Sequence, residues 1–98
     1  MKISIKELLS LVNPIIVDIR NKYYYDIGHI KDAISIPYYN LLNNYSHYLD
    51  KNNFYYLYCD TGEQSYDIAL RLNEFGYQVF SVEGGYLDYC RLEERACD

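Results

Sequence analysis

The stretch YYLYCDTGEQSYDIALRLNEFGY, Tyr55 to Tyr77, sets one cysteine between an aromatic run and a run of helical periodicity. Cys59 therefore stands where a strand ends and a short polar loop leads into a helix. At such a junction, unpaired amides and the helix dipole favour the thiolate, the reactive form of sulfur. Amides of Asp60 to Gln64 turned inward form an anion-binding nest, and Gly62 supplies the positive φ that such a curl requires. The carboxylates of Asp60 and Glu63 oppose the anion, each by about 1 kcal/mol at intermediate dielectric. The helix dipole returns about 0.3–1 kcal/mol, so the loop amides are expected to carry most of the stabilisation. The plainer reading of Cys59 is a small buried residue closing a strand.

The elements that must position this sulfur can be read along the chain. Ser4 to Glu7 has capping-box spacing, with Ile3 and Leu8 placed as a hydrophobic staple, and a short helix follows to about Leu11. Ile15 to Ile19 reads as a buried strand. Asn21 to Ile27 reads as a short helix closed by Gly28, and Ala33 to Ile36 as a second strand stopped by Pro37. Tyr38 to Asp50 is a looser helical region with Asn40 as candidate cap. Phe54 to Tyr58 lacks alternation, as expected of a strand buried on both faces. Ser65 to Phe75 is the clearest helix, with Ser65 as N-cap and Ile68, Ala69, Leu72 and Phe75 on one stripe. Gln78 to Val82 is a strand, Gly84-Gly85 a turn, and Tyr86 to about Arg95 a last helix. Strands alternating with helices imply an α/β fold, a small, mostly parallel sheet with helices on both faces. Ligands of such sheets bind outside the carboxyl ends of the strands, the edge that carries Cys59, Asp18, Pro37 to Tyr39 and Glu83 to Gly85.

Composition narrows the function. Ninety-eight residues are the size of one domain, 1–98, and half of them are hydrophobic. A net charge of −5 with scattered basic residues argues against a nucleic-acid partner. No apolar stretch is long enough to span a bilayer, so no membrane partner is expected. Lys6 and Glu7 interrupt the N-terminus where a signal peptide needs an apolar run; a cytoplasmic location is expected. Three cysteines at wide spacings suggest neither a disulfide framework nor, with two distant histidines, a metal site. Cys90 and Cys97 are expected to be inert. Fourteen tyrosines with no tryptophan reflect biased composition in part. Tyr23, Tyr24, Tyr38, Tyr39, Tyr66 and Tyr86 nevertheless fall in segments near the carboxyl edge, where an aromatic rim would suit a protein donor or acceptor.

Three blocks together resemble the rhodanese (sulfurtransferase) domain: VDIRNKYYYDIGHIKDAISIP from Val17, YCDTGEQS from Tyr58, and GYQVFSVEGGYLDY from Gly76. The resemblance implies a rhodanese-like fold and a sulfurtransferase in which Cys59 takes a sulfane sulfur as a persulfide and passes it to a nucleophilic acceptor. It implies a substrate-binding loop of Asp60, Thr61, Gly62, Glu63, Gln64 and Ser65, and no metal or organic cofactor, since the thiol does the covalent work. Gln64 stands where the family's loop carries arginine, and Tyr24 where thiosulfate users can place a charged residue. With Asp60 and Glu63, these departures predict a persulfide donor in preference to dianionic thiosulfate. A phosphatase of the same fold needs an arginine where this chain has Ser65, so phosphate-ester hydrolysis is not expected. The alternative from another class is a rhodanese-fold binding or regulatory module whose thiol transfers nothing.

Asp18 and Arg20, at alternate positions of one strand end, are expected to support the site, Arg20 by bidentate bonds. His29 is expected to make a structural hydrogen bond. Ser65 adds a second expectation to its cap role, a hydrogen bond to the sulfur.

Overall fold

A computed structural model describes residues 1–95. Ten elements follow in the order β1 (Lys2–Ile3), α1 (Ile5–Ser10), β2 (Ile15–Asp18), α2 (Lys22–Ile27), β3 (Ile34–Ser35), α3 (Tyr38–Tyr48), β4 (Phe54–Tyr58), α4 (Glu63–Glu74), β5 (Gln78–Val82) and α5 (Gly85–Leu92). The five strands form one parallel sheet in the order β1-β5-β4-β2-β3.

Alternation along the central strands builds two apolar layers. Val17, Tyr55, Leu57 and Val79 face one side, where Leu41 of α3 and Ile68, Ala69 and Leu72 of α4 cover them. Ile16, Tyr58 and Val82 face the other, beneath Leu8 of α1 and Tyr86, Tyr89 and Cys90 of α5. Helices thus pack on both faces. Each α4 residue named has 1% or less of its surface exposed, so this helix is held by its apolar stripe rather than by local propensity.

Several local expectations are met. Ser4 and Glu7 form the capping box, and Ile3 and Leu8 share one apolar layer. Others are corrected. Asn40 lies inside α3, which starts after Pro37 and kinks at Asn44. Ser65 lies within the first turn of α4, whose N-cap is Gly62 at φ 103°; a left-handed residue starts this helix, and the serine is free for the site. Phe75 is 47% exposed and stacks on Tyr45 instead of joining the stripe. Phe54 is exposed at the start of β4, so burial on both faces begins only further along that strand. Strand β1 was not anticipated, because two residues show no periodicity. It is stitched to β5 by Ser81 N–H to the Met1 carbonyl and Glu83 N–H to the Ile3 carbonyl, at 3.0 and 2.8 Å. Gly28 closes α2 in extended backbone at φ −177°, so its conformation does not call for glycine. Space does: an added Cβ would lie 2.6 Å from the Tyr86 hydroxyl.

Candidate functional site

The strand order places the site. From β2 the chain crosses outward to β3, then returns to the opposite side of β2 as β4, so the connections diverge between β2 and β4. The crevice at such a reversal is where α/β sheets hold ligands. Asp18, which ends β2, pairs with Tyr58, which ends β4. Tyr58 and Cys59 are consecutive in extended chain, so their side chains leave by opposite faces. Tyr58 enters the layer under α5, and Cys59 the layer under α4.

The sulfur of Cys59 sits against the start of α4. It accepts hydrogen bonds from the amides of Gly62 at 3.2 Å and Ser65 at 3.4 Å, and lies 3.6 Å from the Ser65 hydroxyl. Of the amides expected to turn inward, Asp60 to Gln64, that of Gly62 reaches the sulfur, and the second donor, Ser65, lies one residue beyond them. The side chains behind the sulfur were not anticipated as a group. Ser65 Oγ lies 2.7 Å from Ser81 Oγ and donates to the Gly62 carbonyl at 3.2 Å. An open cleft of about 400 Å³ lies in front, lined by Cys59, Asp60, Thr61, Glu63 and Gln64. Cys59 is 5% exposed and borders this cleft, which gives a reactant a path to the sulfur. Of the expected loop residues, Ser65 lies behind the sulfur rather than in the cleft, and Gly62 borders a neighbouring cleft with Lys2, Ser81 and Glu83.

The turn after β5 holds the loop from below. The first amides of α5, those of Tyr86 and Leu87, donate to the Cys59 and Asp60 carbonyls at 2.9 and 3.1 Å. The chains approach so closely that a Cβ on Gly85 would lie 2.4 Å from the Cys59 carbonyl oxygen. Gly85 and Gly84 both have positive φ, at 56° and 75°. The Gly-Gly pair thus meets two demands, one conformational and one of space.

On the opposite face, Asp18 and Arg20 form a buried ion pair with Arg20 Nη2 2.7 Å from Asp18 Oδ2, and Arg20 Nε 3.1 Å from both carboxylate oxygens. Arg20 also donates to the Gly28 carbonyl at 2.7 Å, and its guanidinium lies 4.0 Å over the Tyr86 ring. The Tyr58 hydroxyl completes the group: it donates to Asp18 Oδ2 at 2.6 Å and accepts from the Ile30 amide at 3.0 Å. Burial, followed by the Asp18 carboxylate, pushes the Tyr58 phenol well above its ordinary value, so it acts as a neutral donor. Burial lowers the Arg20 pKa, but hydrogen bonds and charge from Asp18 outweigh it, so the net direction is upward. Arg20 Nη1 lies 3.9 Å from Asp60 Oδ1, a carboxylate 74% exposed. That contact is solvent-screened and weak, yet it joins the buried brace to the loop.

Other expected residues fall outside the cleft. His29 Nδ1 lies 2.7 Å from the Tyr25 carbonyl and the ring stacks on Tyr25, a structural role. Tyr86 is buried and belongs to the core, so it leaves the rim; Tyr23, Tyr24 and Tyr39 are exposed. Cys90 is buried in α5, as an inert core cysteine would be, and is disulfide-bonded, which corrects the expectation that the cysteines point to no disulfide. Cys97 lies outside the described residues. Among the described residues no His, Cys, Asp and Glu cluster could hold a metal ion, and no helix is long and apolar enough to cross a membrane.

Tyr58 and Ser81 are the site residues that sequence reasoning missed. Tyr58 was hidden in an apolar run where its hydroxyl looked incidental. Ser81 did carry a signal: Val79 faces inward, so Ser81 two residues on faces inward too, a hydroxyl at a core position.

The model of the rhodanese-like domain family matches residues 4–92. Among curated proteins, the chain is similar to a tRNA uridine(34) hydroxylase of Hamiltonella defensa, 29% identical over 101 residues, a match that takes in 93% of this chain and 27% of that protein. A tRNA uridine(34) hydroxylase of Buchnera aphidicola is also 29% identical, over 89% of this chain and 30% of its own length. The chain thus spans less than a third of these relatives. Among solved structures, a rhodanese-like domain protein from Staphylococcus aureus superposes with a TM-score of 0.75 at 31% identity, over 87% of each chain. A rhodanese-related protein from Thermoplasma volcanium superposes with a TM-score of 0.84 at 23% identity, over 97% and 94%, a likeness of fold alone.

Proposed function

Because the chain belongs to the rhodanese-like domain family, with residues 4–92 matching the family model, we propose that it is a sulfurtransferase that carries sulfane sulfur on Cys59. One observation carries this reading: the Cys59 sulfur accepts two backbone N–H groups and borders an open cleft. N–H groups aimed at the sulfur suit the negative charge that a sulfur nucleophile and leaving group must carry, and the cleft gives that sulfur a path to a reactant.

The chemistry needs no redox partner. The Cys59 thiolate attacks the terminal sulfur of a donor persulfide, R–S–SH. A new S–S bond forms to Cys59, the donor's S–S bond breaks, and R–S⁻ leaves with the electron pair. A nucleophilic acceptor then attacks the outer sulfur, and Cys59 departs again as thiolate. The loop of Asp60, Thr61, Gly62, Glu63, Gln64 and Ser65 surrounds the transferred sulfur, while Asp18 and Arg20 support the loop. Asp60 and Glu63 line the cleft, no arginine lines it with them, and Arg20 reaches Asp60 only through a weak, screened contact at 3.9 Å. They repel thiosulfate, a dianion, more than a singly charged or neutral persulfide, so a persulfide is the preferred donor.

Hydroxylation of tRNA, the activity named for the curated relatives, is not carried over. The chain spans under a third of those proteins, and its net charge of −5 offers no electrostatic attraction to a phosphate backbone. The acidic loop and Gln64 favour one second reading, a rhodanese-fold binding module with an idle thiol.

Intact-mass analysis after exposure to a small alkyl persulfide separates the two. The transferase gains one sulfur atom, loses the adduct in Cys59→Ser, and gives it up to cyanide or thiol. A chain that takes no sulfur from persulfide or thiosulfate supports the binding-module reading.

A further inference from the structure

Ser65 and Ser81 are buried to 1% exposure or less, one in α4 and one in β5. Ser81 occupies the α4-facing side of a strand whose neighbouring position on that side, Val79, is apolar. A hydroxyl there needs a partner, because an unpaired buried hydroxyl is costly. Its partner is Ser65, with the two oxygens 2.7 Å apart.

Proton accounting gives this pair a direction. When Cys59 is a thiol, the S–H can point to Ser65 Oγ at 3.6 Å, and Ser65 gives its own proton to the Gly62 carbonyl at 3.2 Å or to Ser81. When Cys59 is a thiolate it can only accept, and the Ser65 hydroxyl, 3.6 Å away, can turn from the Gly62 carbonyl to donate to the sulfur. The Ser65 oxygen then needs a donor, and the Ser81 hydroxyl is in place. The other acceptor recorded for Ser81, the Gly62 carbonyl, is 3.5 Å away, at the limit of a hydrogen bond.

We propose that Ser81 is a positioning residue for Cys59: its hydroxyl donates to Ser65 and so holds the Ser65 hydroxyl turned toward the anionic sulfur. Ser81 does not touch the reacting atoms. It acts through Ser65, in a chain of two hydroxyls that polarise one another. This inference deepens the sulfur-transfer reading and rests on Cys59 as nucleophile. The charged and titratable groups around the sulfur are Asp60 and Glu63 in the cleft, Arg20 reaching Asp60, Lys2, Glu83 and the Tyr66 phenol in the neighbouring cleft, the phenols of Tyr38, Tyr45, Tyr55 and Tyr77 in the same apolar layer, and those of Tyr58 and Tyr86 across the sheet. A change at Ser81 leaves all of them in place.

The test is the rate of Cys59 alkylation by iodoacetamide, followed by intact mass with Cys59→Ser as blank. This reads the thiol itself, so a chain that transfers no sulfur and a chain indifferent to Ser81 are separate outcomes. Ser81→Ala slows alkylation about three- to tenfold at pH 7, the effect of one net hydrogen bond. At pH 9.5, about a unit above the value of an ordinary thiol, the difference between the two rates narrows. Ser81→Thr restores the hydroxyl and the rate, and in a Ser65→Ala background Ser81→Ala changes nothing. If Ser81→Ala fails to fold, Ser81→Thr against Ser81→Val, equal in shape and differing in the hydroxyl, makes the same comparison. Equal rates at pH 7, equal slowing at both pH values, or undiminished slowing without Ser65 overturns the proposal.

Discussion

Replacing Tyr58 by Phe removes one oxygen from the centre of the buried brace and leaves the ring in place. That oxygen serves two groups. It donates to Asp18 Oδ2 at 2.6 Å, a hydrogen bond to a buried ionised carboxylate, of a kind that contributes about 1.5–3 kcal/mol. It also accepts from the Ile30 amide at 3.0 Å, and Ile30 is fully buried, so the amide is stranded at a cost of about 1–3 kcal/mol. Asp18 keeps the Arg20 side chain and the Arg20 amide, which softens the first loss. The expected destabilisation is about 3 kcal/mol, or a fall in thermal midpoint of about 12–24 °C for a domain of this size. Urea unfolding measures it, with Tyr39→Phe, whose ring is 70% exposed, as control and expected within about 0.5 kcal/mol of the unaltered chain. The variant creates almost no cavity, so a large effect belongs to the hydrogen bonds. A Tyr58→Phe protein within about 1 kcal/mol of the parent would refute the argument that this hydroxyl ties the ends of β2 and β4 together.

Three further outcomes follow from the same geometry. Stability carried by Tyr58 is full below the unfolded phenol value of about 10 and falls as pH rises above it, by about 1.4 kcal/mol per pH unit, because the folded phenol keeps its proton longer; unfolding series between pH 9 and 11 show a steeper decline in the parent than in Tyr58→Phe. Gly85→Ala forces a side chain into left-handed backbone and against the Cys59 carbonyl; stability falls by at least about 1–2 kcal/mol, and sulfur loading falls even at temperatures where circular dichroism shows the fold intact. Neutralising the cleft with Asp60→Asn and Glu63→Gln lowers the KM for thiosulfate about three- to tenfold at low salt, an advantage that shrinks at 0.5 M salt; a KM unmoved by either change removes charge repulsion as the basis of donor choice.

The site was legible in the sequence where chemistry is local. Cys59, the positive-φ glycine three residues on and the helix that follows are contiguous, so their relation is set by the chain itself. Asp18 and Arg20, two residues apart, were readable as a supporting pair for the same reason. Illegible were contacts between elements whose separation in sequence says nothing of distance. Tyr58 meets Ile30 across 28 residues and Asp18 across 40, and Ser65 meets Ser81 across 16. The capping of α4 by Gly62 rather than Ser65 belongs to this class. A serine before an apolar run is a good cap by local rules, but here the hydroxyl is held by a strand that those rules cannot see.

What the sequence determined alone was periodicity and punctuation, and hence the elements, their alternation as α/β and the position of the thiol at a strand-to-helix junction. These follow from side-chain spacing and backbone sterics, which act over a few residues. Only tertiary structure decided the strand order β1-β5-β4-β2-β3, which amides reach the sulfur, and which hydroxyls stand behind it. Those depend on how layers pack. Burial then obliges every polar group caught between the layers to find whatever partner the packing brings within reach.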